Sequence, residues 1–145
     1  MINIFDDEYA FLSNFYECPI TYNGLTYLNS EAAFHAQKTL DNNQRKQFTT
    51  LTPSESKKLG RKITLRSDWE QVKTRVMYEI CRAKFYQNEE LAEKLLATGD
   101  EYLEEGTWWH DNCWGNCYCD KCKNIAGENR LGKILMQIRE EFKND

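Results

Sequence analysis

The stretch Ile20-Thr21-Tyr22-Asn23-Gly24-Leu25-Thr26-Tyr27, followed by Asn29-Ser30-Glu31-Ala32-Ala33-Phe34-His35-Ala36-Gln37-Lys38, supplies both halves of an α+β reading. Asn-Gly provides the two positive-φ positions of a type I′ turn, whose twist suits the strands it joins. Across that turn Ile20, Tyr22, Leu25 and Tyr27 share one face and give the hairpin an apolar side. Asn29 or Ser30 then caps a helix by offering a side-chain oxygen to free backbone N–H groups. The residue types sustain this helix as far as the Asp41-Asn42-Asn43 break. Glu31, His35 and Lys38 stand at i, i+4 and i+7 and so share a face. A carboxylate beside a partly desolvated lysine can tune that lysine or exchange protons with it. A solvated face with Glu–Lys support is the alternative reading of the same stripe.

Upstream of the hairpin, residues 2–5 suit a short strand, and Tyr9 to Tyr16 form an aromatic-rich loop in which Ser13 and Asn14 offer hydrogen bonds. Downstream, residues 42–50 suit a short polar helix. Thr52-Pro53-Ser54-Glu55 is a capping box with proline in the first turn, and Gly60 is placed to end that helix. Ser67 or Asp68 caps the longest helix, about 68–87, whose stripe of Trp69, Val72, Val76, Ile80 and Ala83 follows the helical period. Residues 89–97 form another short helix closed by Gly99, 101–105 a strand, and about 129–142 the last helix. With no linker or internal repeat, residues 1–145 read as a single compact helix-rich α+β domain with a small β-hairpin or sheet.

The 145 residues suffice for one core. Net charge is −4, which argues against a general nucleic-acid coat protein. The segment 55–84 nevertheless holds nine basic residues against four acidic ones, net +5 where the remainder is −9. Such a local basic surface suits a phosphorylated small ligand better than a long polyanion, although solvated helix faces give a similar pattern. No apolar run reaches membrane-spanning length, and Met1-Ile2-Asn3-Ile4-Phe5 does not open a signal segment. A cytoplasmic protein without membrane contact is the expectation.

Four of the six cysteines fall within ten residues, in Thr107-Trp108-Trp109-His110-Asp111-Asn112-Cys113-Trp114-Gly115-Asn116-Cys117-Tyr118-Cys119-Asp120-Lys121-Cys122. Outside a secretory context, such clustering points to free thiols or metal. Cys117, Cys119 and Cys122, with Cys113 or else His110 as the fourth, suit a tetrahedral structural zinc site. Thiols filling a small core beside the tryptophans are the alternative.

Phe11-Leu12-Ser13-Asn14-Phe15, Glu31-x-x-Phe34-x-Ala36-Gln37-Lys38, Leu59-Gly60-Arg61, Asp68-Trp69-x-x-Val72-Lys73, Lys84-Phe85-x-x-Asn88, Thr98-Gly99-Asp100, Trp114-Gly115 and Asn129-Arg130-Leu131-Gly132 occur in that order. Together they resemble the NADAR family, across about residues 5–140. The resemblance implies a compact α+β enzyme that cleaves an N-glycosidic bond to ribose and needs no cofactor for the chemistry. Two substrate classes go with it. The first is ADP-ribose on a base, particularly guanine, with nucleic acid as a possible carrier. The second is a phosphorylated ribosylamino-pyrimidine of riboflavin biosynthesis. A module that binds ADP-ribose or NAD without turnover is the competing class, and the acid–amine pair favours the enzyme.

Carried over by motif position, Glu31, Lys38 and Asp111 are the expected catalytic residues. Ser13, Asn14, Phe15, Arg61, Trp69, Trp114, Gly115, Asn129 and Arg130 are the expected substrate-binding ones. Lys38 would attack the anomeric carbon and Glu31 would shuttle the proton. Asp111 would orient ribose or activate water, while Trp69 and Trp114 would stack or exclude solvent. The family's aromatic helix start is Glu31-Ala32-Ala33-Phe34 here, which implies a roomier or differently shaped side of the pocket.

Overall fold

The Asn23-Gly24 turn forms as the sequence predicts, with φ of 50° and 83°. It joins β1 (Glu17–Tyr22) to β2 (Leu25–Asn29) as an antiparallel pair, with Ile20 opposite Tyr27 and Tyr22 opposite Leu25. Ile20 and Tyr27 are fully buried, so the hairpin's apolar face meets a core. A register irregularity between Glu17 and Ile20 marks where Pro19 cannot donate to the ladder.

The computed structural model describes residues 1–145, which gather into two compact units: Asn14–Glu89, and Met1–Ser13 with Glu90–Asp145. In the unit of residues 14–89, β2 runs directly into α1 (Ser30–Ala36). Asn29 caps it by accepting the Ala32 N–H at 2.7 Å, and its amide donates to the Leu51 carbonyl at 3.1 Å. Next come α2 (Asn42–Lys46), a 3-10 turn (Gln47–Thr50), α3 (Pro53–Gly60) and α4 (Trp69–Gln87). The capping box of α3 is complete: Thr52 Oγ1 accepts the Glu55 N–H and Glu55 Oε1 accepts the Thr52 N–H. α1 lies against β2, α3 and α4, and its small Ala32, Ala33 and Ala36 are wholly buried. Small side chains let neighbouring backbones approach closely. That proximity presses the polar face of α1 against α3.

Two expectations need correction in this unit. α1 stops at Ala36 instead of continuing towards Asp41, so Lys38 follows the helix in a turn, its N–H donating to the His35 carbonyl at 3.2 Å. Asp68 precedes α4 but does not cap it with its side chain. Its carboxylate instead takes two nitrogens of Arg66, at 2.6 and 3.0 Å, a bidentate pairing that satisfies both oxygens.

In the other unit a 3-10 helix, Asp7–Leu12, buries Phe11 and Leu12. α5 (Glu89–Ala97, of which all but Glu89 belong to this unit) leads to Gly99, whose φ of 65° fits a turn closing a helix. The strands expected at 2–5 and 101–105 shrink to one bridge, Ile2 with Leu103. Regular pairing resumes only in β3 (Gly106–Thr107) beside β4 (Asn116–Cys117), parallel to it. A 3-10 turn, Asp120–Cys122, follows, then α6 (Arg130–Lys143), which buries Leu131, Ile134, Leu135 and Ile138. No helix is long and apolar enough to cross a membrane.

Candidate functional site

Three of the expected site residues, Glu31, Lys38 and Trp69, stand on α1 or beside it, together with His35. Glu31 and His35, one turn apart on α1, meet through Oε1 and Nε2 at 2.7 Å, with both side chains largely buried. His35 Nδ1 has no hydrogen-bond partner. The imidazole that fits these surroundings carries its proton on Nε2 and donates it to Glu31, because an orphaned lone pair costs less than an orphaned N–H. Nδ1 lies against Gly60, where an added Cβ would come within 2.4 Å of it. Gly60 therefore does more than end a helix: its missing side chain makes room for the imidazole that holds Glu31.

Lys38 reaches the same place from the turn after α1. Its Nζ donates to the Gly60 carbonyl at 3.5 Å. Burial lowers its pKa from the usual lysine value; the Glu31 carboxylate pulls the other way, and the neighbouring Arg61 guanidinium adds to the lowering. Its own carbonyl accepts the Arg66 N–H at 2.8 Å, fixing the turn to the segment before α4. Trp69, at the start of α4, is buried against Phe34, with ring centroids 5.1 Å apart, and Phe34 in turn meets the edge of His35 at 5.5 Å. Acid, imidazole, amine and tryptophan thus share one neighbourhood. Such an arrangement can move a proton and present an amine that gives up its own more readily than an exposed lysine does.

Asn14 has a different setting from the one its motif suggests. Its Oδ1 accepts the Ser30 hydroxyl at 3.0 Å, Nδ2 points to Met77 Sδ at 3.3 Å, and its backbone carbonyl accepts the Glu31 N–H. This buried side chain pins the start of α1. Phe15 and Arg61 are exposed.

The remaining expected residues belong to the unit formed by residues 1–13 and 90–145. Ser13 ends the 3-10 helix there, its N–H on the Ala10 carbonyl. Asp111 Oδ1 accepts the N–H groups of Cys113 and Trp114 at 3.0 and 2.9 Å, so this oxygen folds its own loop. The carbonyls of Cys113, Trp114 and Gly115 accept the N–H groups of Arg130, Leu131 and Asn129. These satisfy donors that a helix start leaves without intrahelical partners. Gly115 is a glycine for space: a Cβ there would stand 2.2 Å from the Glu105 carbonyl oxygen. Asn129, at φ 49°, uses its side chain to receive the Glu105 N–H and to donate to the Leu103 carbonyl at 2.9 Å. Arg130 pairs with Glu128 at 3.2 Å. Asp111, Trp114, Gly115, Asn129 and Arg130 are therefore brought together, as one loop-to-helix junction.

The same loop gathers His110, Cys117, Cys119 and Cys122, whose ligand atoms all lie within 4.8 Å of one another. Cys113 is outside this group, so the fourth member is His110 and not Cys113. Asp111 explains why: by drawing in the Cys113 N–H it turns that residue into the junction with α6.

Sequence reasoning placed His35 on the stripe but gave it no task, and read Gly60 as a helix stop. The i, i+4 spacing of Glu31 and His35 was the available signal for the first. The second depends on how two helices approach and has no local signature.

Comparison with known proteins agrees with this arrangement. Residues 3–143 match the NADAR domain, which runs through both units. N-glycosidase YbiA of Escherichia coli (strain K12) is 40% identical over 139 residues, covering 94% of this chain and 83% of that protein. A riboflavin biosynthesis protein of Vibrio vulnificus (strain YJ016) is 39% identical over 140 residues, and the match spans 36% of its length. The NMR structure of E. coli YbiA superposes with a TM-score of 0.82 at 38% identity, covering 99% of this chain and 88% of that one. The fold is therefore α+β of the YbiA type, and the chain belongs to the NADAR family.

Proposed function

We propose that this protein is a hydrolase of N-glycosyl bonds, opening an N-ribosyl bond with Lys38 as nucleophile and Glu31 as proton shuttle. The observation that carries the reading is the partly buried Lys38 amine, held at the Gly60 carbonyl and acted on by the Glu31 carboxylate. The N-glycosidase names of its relatives support the reaction class.

In the proposed reaction the neutral amine attacks the anomeric carbon, and the C–N bond to the base breaks with its electron pair going to the base nitrogen. Glu31 takes the proton that the amine loses and passes it to the leaving base. The bond from the anomeric carbon to the ring oxygen then breaks, the oxygen keeping the pair and taking a proton from solvent, which leaves a protonated Schiff base on Lys38. Water adds to it, releasing the ribose aldehyde, restoring the neutral amine and returning one proton to solvent. His35 holds the carboxylate that moves the proton and is a positioning residue. Trp69 closes the apolar side of this neighbourhood. The role expected of Asp111 is tested by Asp111→Asn, which keeps an oxygen for the Cys113 and Trp114 N–H groups and removes the charge.

For the substrate, the riboflavin biosynthesis names of two longer relatives favour a phosphorylated ribosylamino-pyrimidine. ADP-ribosylated guanine, the first of the two classes that the family resemblance implies, is the second reading. The exposed rings of Trp108 and Trp109 favour it, because aromatic faces stack on bases of a nucleic-acid carrier. A turnover assay by mass spectrometry offering both substrates to wild type and Lys38→Ala separates them. Borohydride added during turnover should leave a reduced sugar adduct on Lys38. Turnover by Lys38→Ala at the wild-type rate would sink the mechanism, and binding without turnover of either substrate would sink the enzyme reading.

A further inference from the structure

We propose that His110 Nδ1 and the thiolates of Cys117, Cys119 and Cys122 form a closed tetrahedral zinc site that clamps the loop carrying Asp111 and Trp114. The four ligand atoms lie within 4.8 Å of one another. His110 Nδ1 stands 3.3 Å from Cys119 Sγ and 3.4 Å from Cys122 Sγ. A tetrahedron with Zn–S of about 2.3 Å and Zn–N of about 2.0 Å has edges of roughly 3.5–3.8 Å. The two imidazole–sulfur edges already stand near that spacing, and every other pair lies within 4.8 Å.

The local backbone is shaped to produce this convergence. His110 adopts φ 68°, a conformation unfavourable for a residue with a side chain, and its N–H points at Cys117 Sγ. Asn112 Oδ1 holds the Cys117 N–H at 2.9 Å. The turn after Cys119 brings the Cys122 N–H onto the Cys119 carbonyl at 3.1 Å, and Ile125 N–H follows onto Cys122. Thiol–imidazole and thiol–thiol contacts are weak hydrogen bonds and give little reason for four such groups to meet. None of the six cysteines is in a disulfide.

The donor set selects the ion. Three soft sulfurs and an imidazole in tetrahedral array suit zinc, whereas magnesium and calcium require oxygen ligands. On loading, three thiol protons pass to solvent and the neutral imidazole gives a lone pair, leaving the site with one net negative charge. Four protein ligands leave no position for water, so the ion is structural. Its use follows from the poverty of regular structure around it. Between Gly106 and Arg130 the chain has two two-residue strands and one 3-10 turn, and a metal supplies the crosslink that a small core lacks.

The test is metal analysis of the full chain purified under reducing conditions, with cobalt titration of chelator-stripped protein. Wild type should carry about one zinc per chain, and the stripped protein should show the d–d and sulfur-to-cobalt bands of a tetrahedral thiolate site. Cys113→Ser should retain both properties. Cys119→Ser and His110→Ala should each lose at least about tenfold in metal affinity. Where those variants fail to fold, wild type decides alone: stripping should expose residues 110–122 to protease, and zinc should restore protection. Wild type that carries no zinc and takes up no cobalt overturns the site. Loss of metal in Cys113→Ser as complete as in Cys119→Ser overturns the His110 ligand set.

Discussion

The imidazole of His35 occupies the space that a side chain on Gly60 would need. A β-carbon at position 60 would stand 2.4 Å from Nδ1 and 2.8 Å from Cγ, nearer than real contacts allow. Both residues are buried, so neither ring nor backbone yields freely. Gly60→Ala should therefore cost about 1–3 kcal/mol, the usual range for overpacking a tight site. It should also lower turnover, since the Gly60 carbonyl receives the Lys38 amine. Urea unfolding and steady-state kinetics on the one variant check both halves. Wild-type stability would show that the helices separate without penalty.

Glu31 has two duties that different substitutions separate. Glu31→Ala strips His35 Nε2 of its acceptor in a buried place and should destabilise the protein by about 1–3 kcal/mol. Glu31→Gln keeps an oxygen for His35 while removing the group that carries the proton. It should leave stability within about 1 kcal/mol of wild type yet reduce turnover by about 10²–10⁴-fold. Equal activity in Gln and wild-type proteins would remove Glu31 from the chemistry.

Burial holds the Lys38 amine below the ordinary lysine range. If the neutral amine attacks, turnover rises with pH through the Lys38 pKa, with a midpoint below about 10.4. Lys38→Arg, cationic throughout, should lose more than about 10³-fold. A pH–rate profile with no rise anywhere up to about pH 10.4 would contradict a lysine nucleophile.

The same burial makes stability depend on pH. The folded chain releases the protons of Lys38 and Lys84, both lowered by burial, before the unfolded chain does. The unfolded state then binds more protons, and stability rises with pH in that interval. Cys18 and Tyr27, raised by burial, act oppositely once their unfolded counterparts ionise, from about pH 8.5 upward. Urea midpoints should climb with pH and climb less steeply above about pH 8.5, where the raised Cys18 thiol opposes the two lysines, and Lys84→Met should remove much of the climb.

Asn29 ties β2 to α1 through both ends of its amide. Asn29→Ala loses the cap and should cost about 2 kcal/mol, at the upper end for caps because the residue is fully buried. Asn29→Asp keeps the cap but sets a carboxylate against the Leu51 carbonyl, so it should be destabilising too. Thermal unfolding of the pair measures the two contributions separately.

What could be read in the sequence was what local chemistry decides. The Asn23-Gly24 turn, the Thr52–Glu55 capping box and the long stripe from Trp69 to Ala83 each contain their own cause, and each formed. The strands at 2–5 and 101–105 did not, because their pairing depends on partners a hundred residues away and survives only at Ile2 and Leu103. The α1 stripe put Glu31, His35 and Lys38 on one face but overran the helix, since the turn at Gln37 is held from outside by the Arg66 N–H on the Lys38 carbonyl. His110 lay within the candidate set, yet its preference over Cys113 rests on a φ of 68° and on the Asp111 carboxylate. Neither has a spacing rule.

Unit membership along the chain also bears on synthesis. Residues 14–89 are contiguous and complete before the ribosome reaches α5, whereas the other unit needs both the first thirteen residues and those after Glu89. Ile2 must wait for Leu103, and the first turn of α6 must wait for the carbonyls at 113–115. Chains emerge at about 5–20 residues per second, and domains tend to assemble as their residues become available. The segment bearing Glu31 and Lys38 thus has every residue of its own unit at hand roughly several seconds before Phe11 and Leu12 are joined by the later residues of theirs.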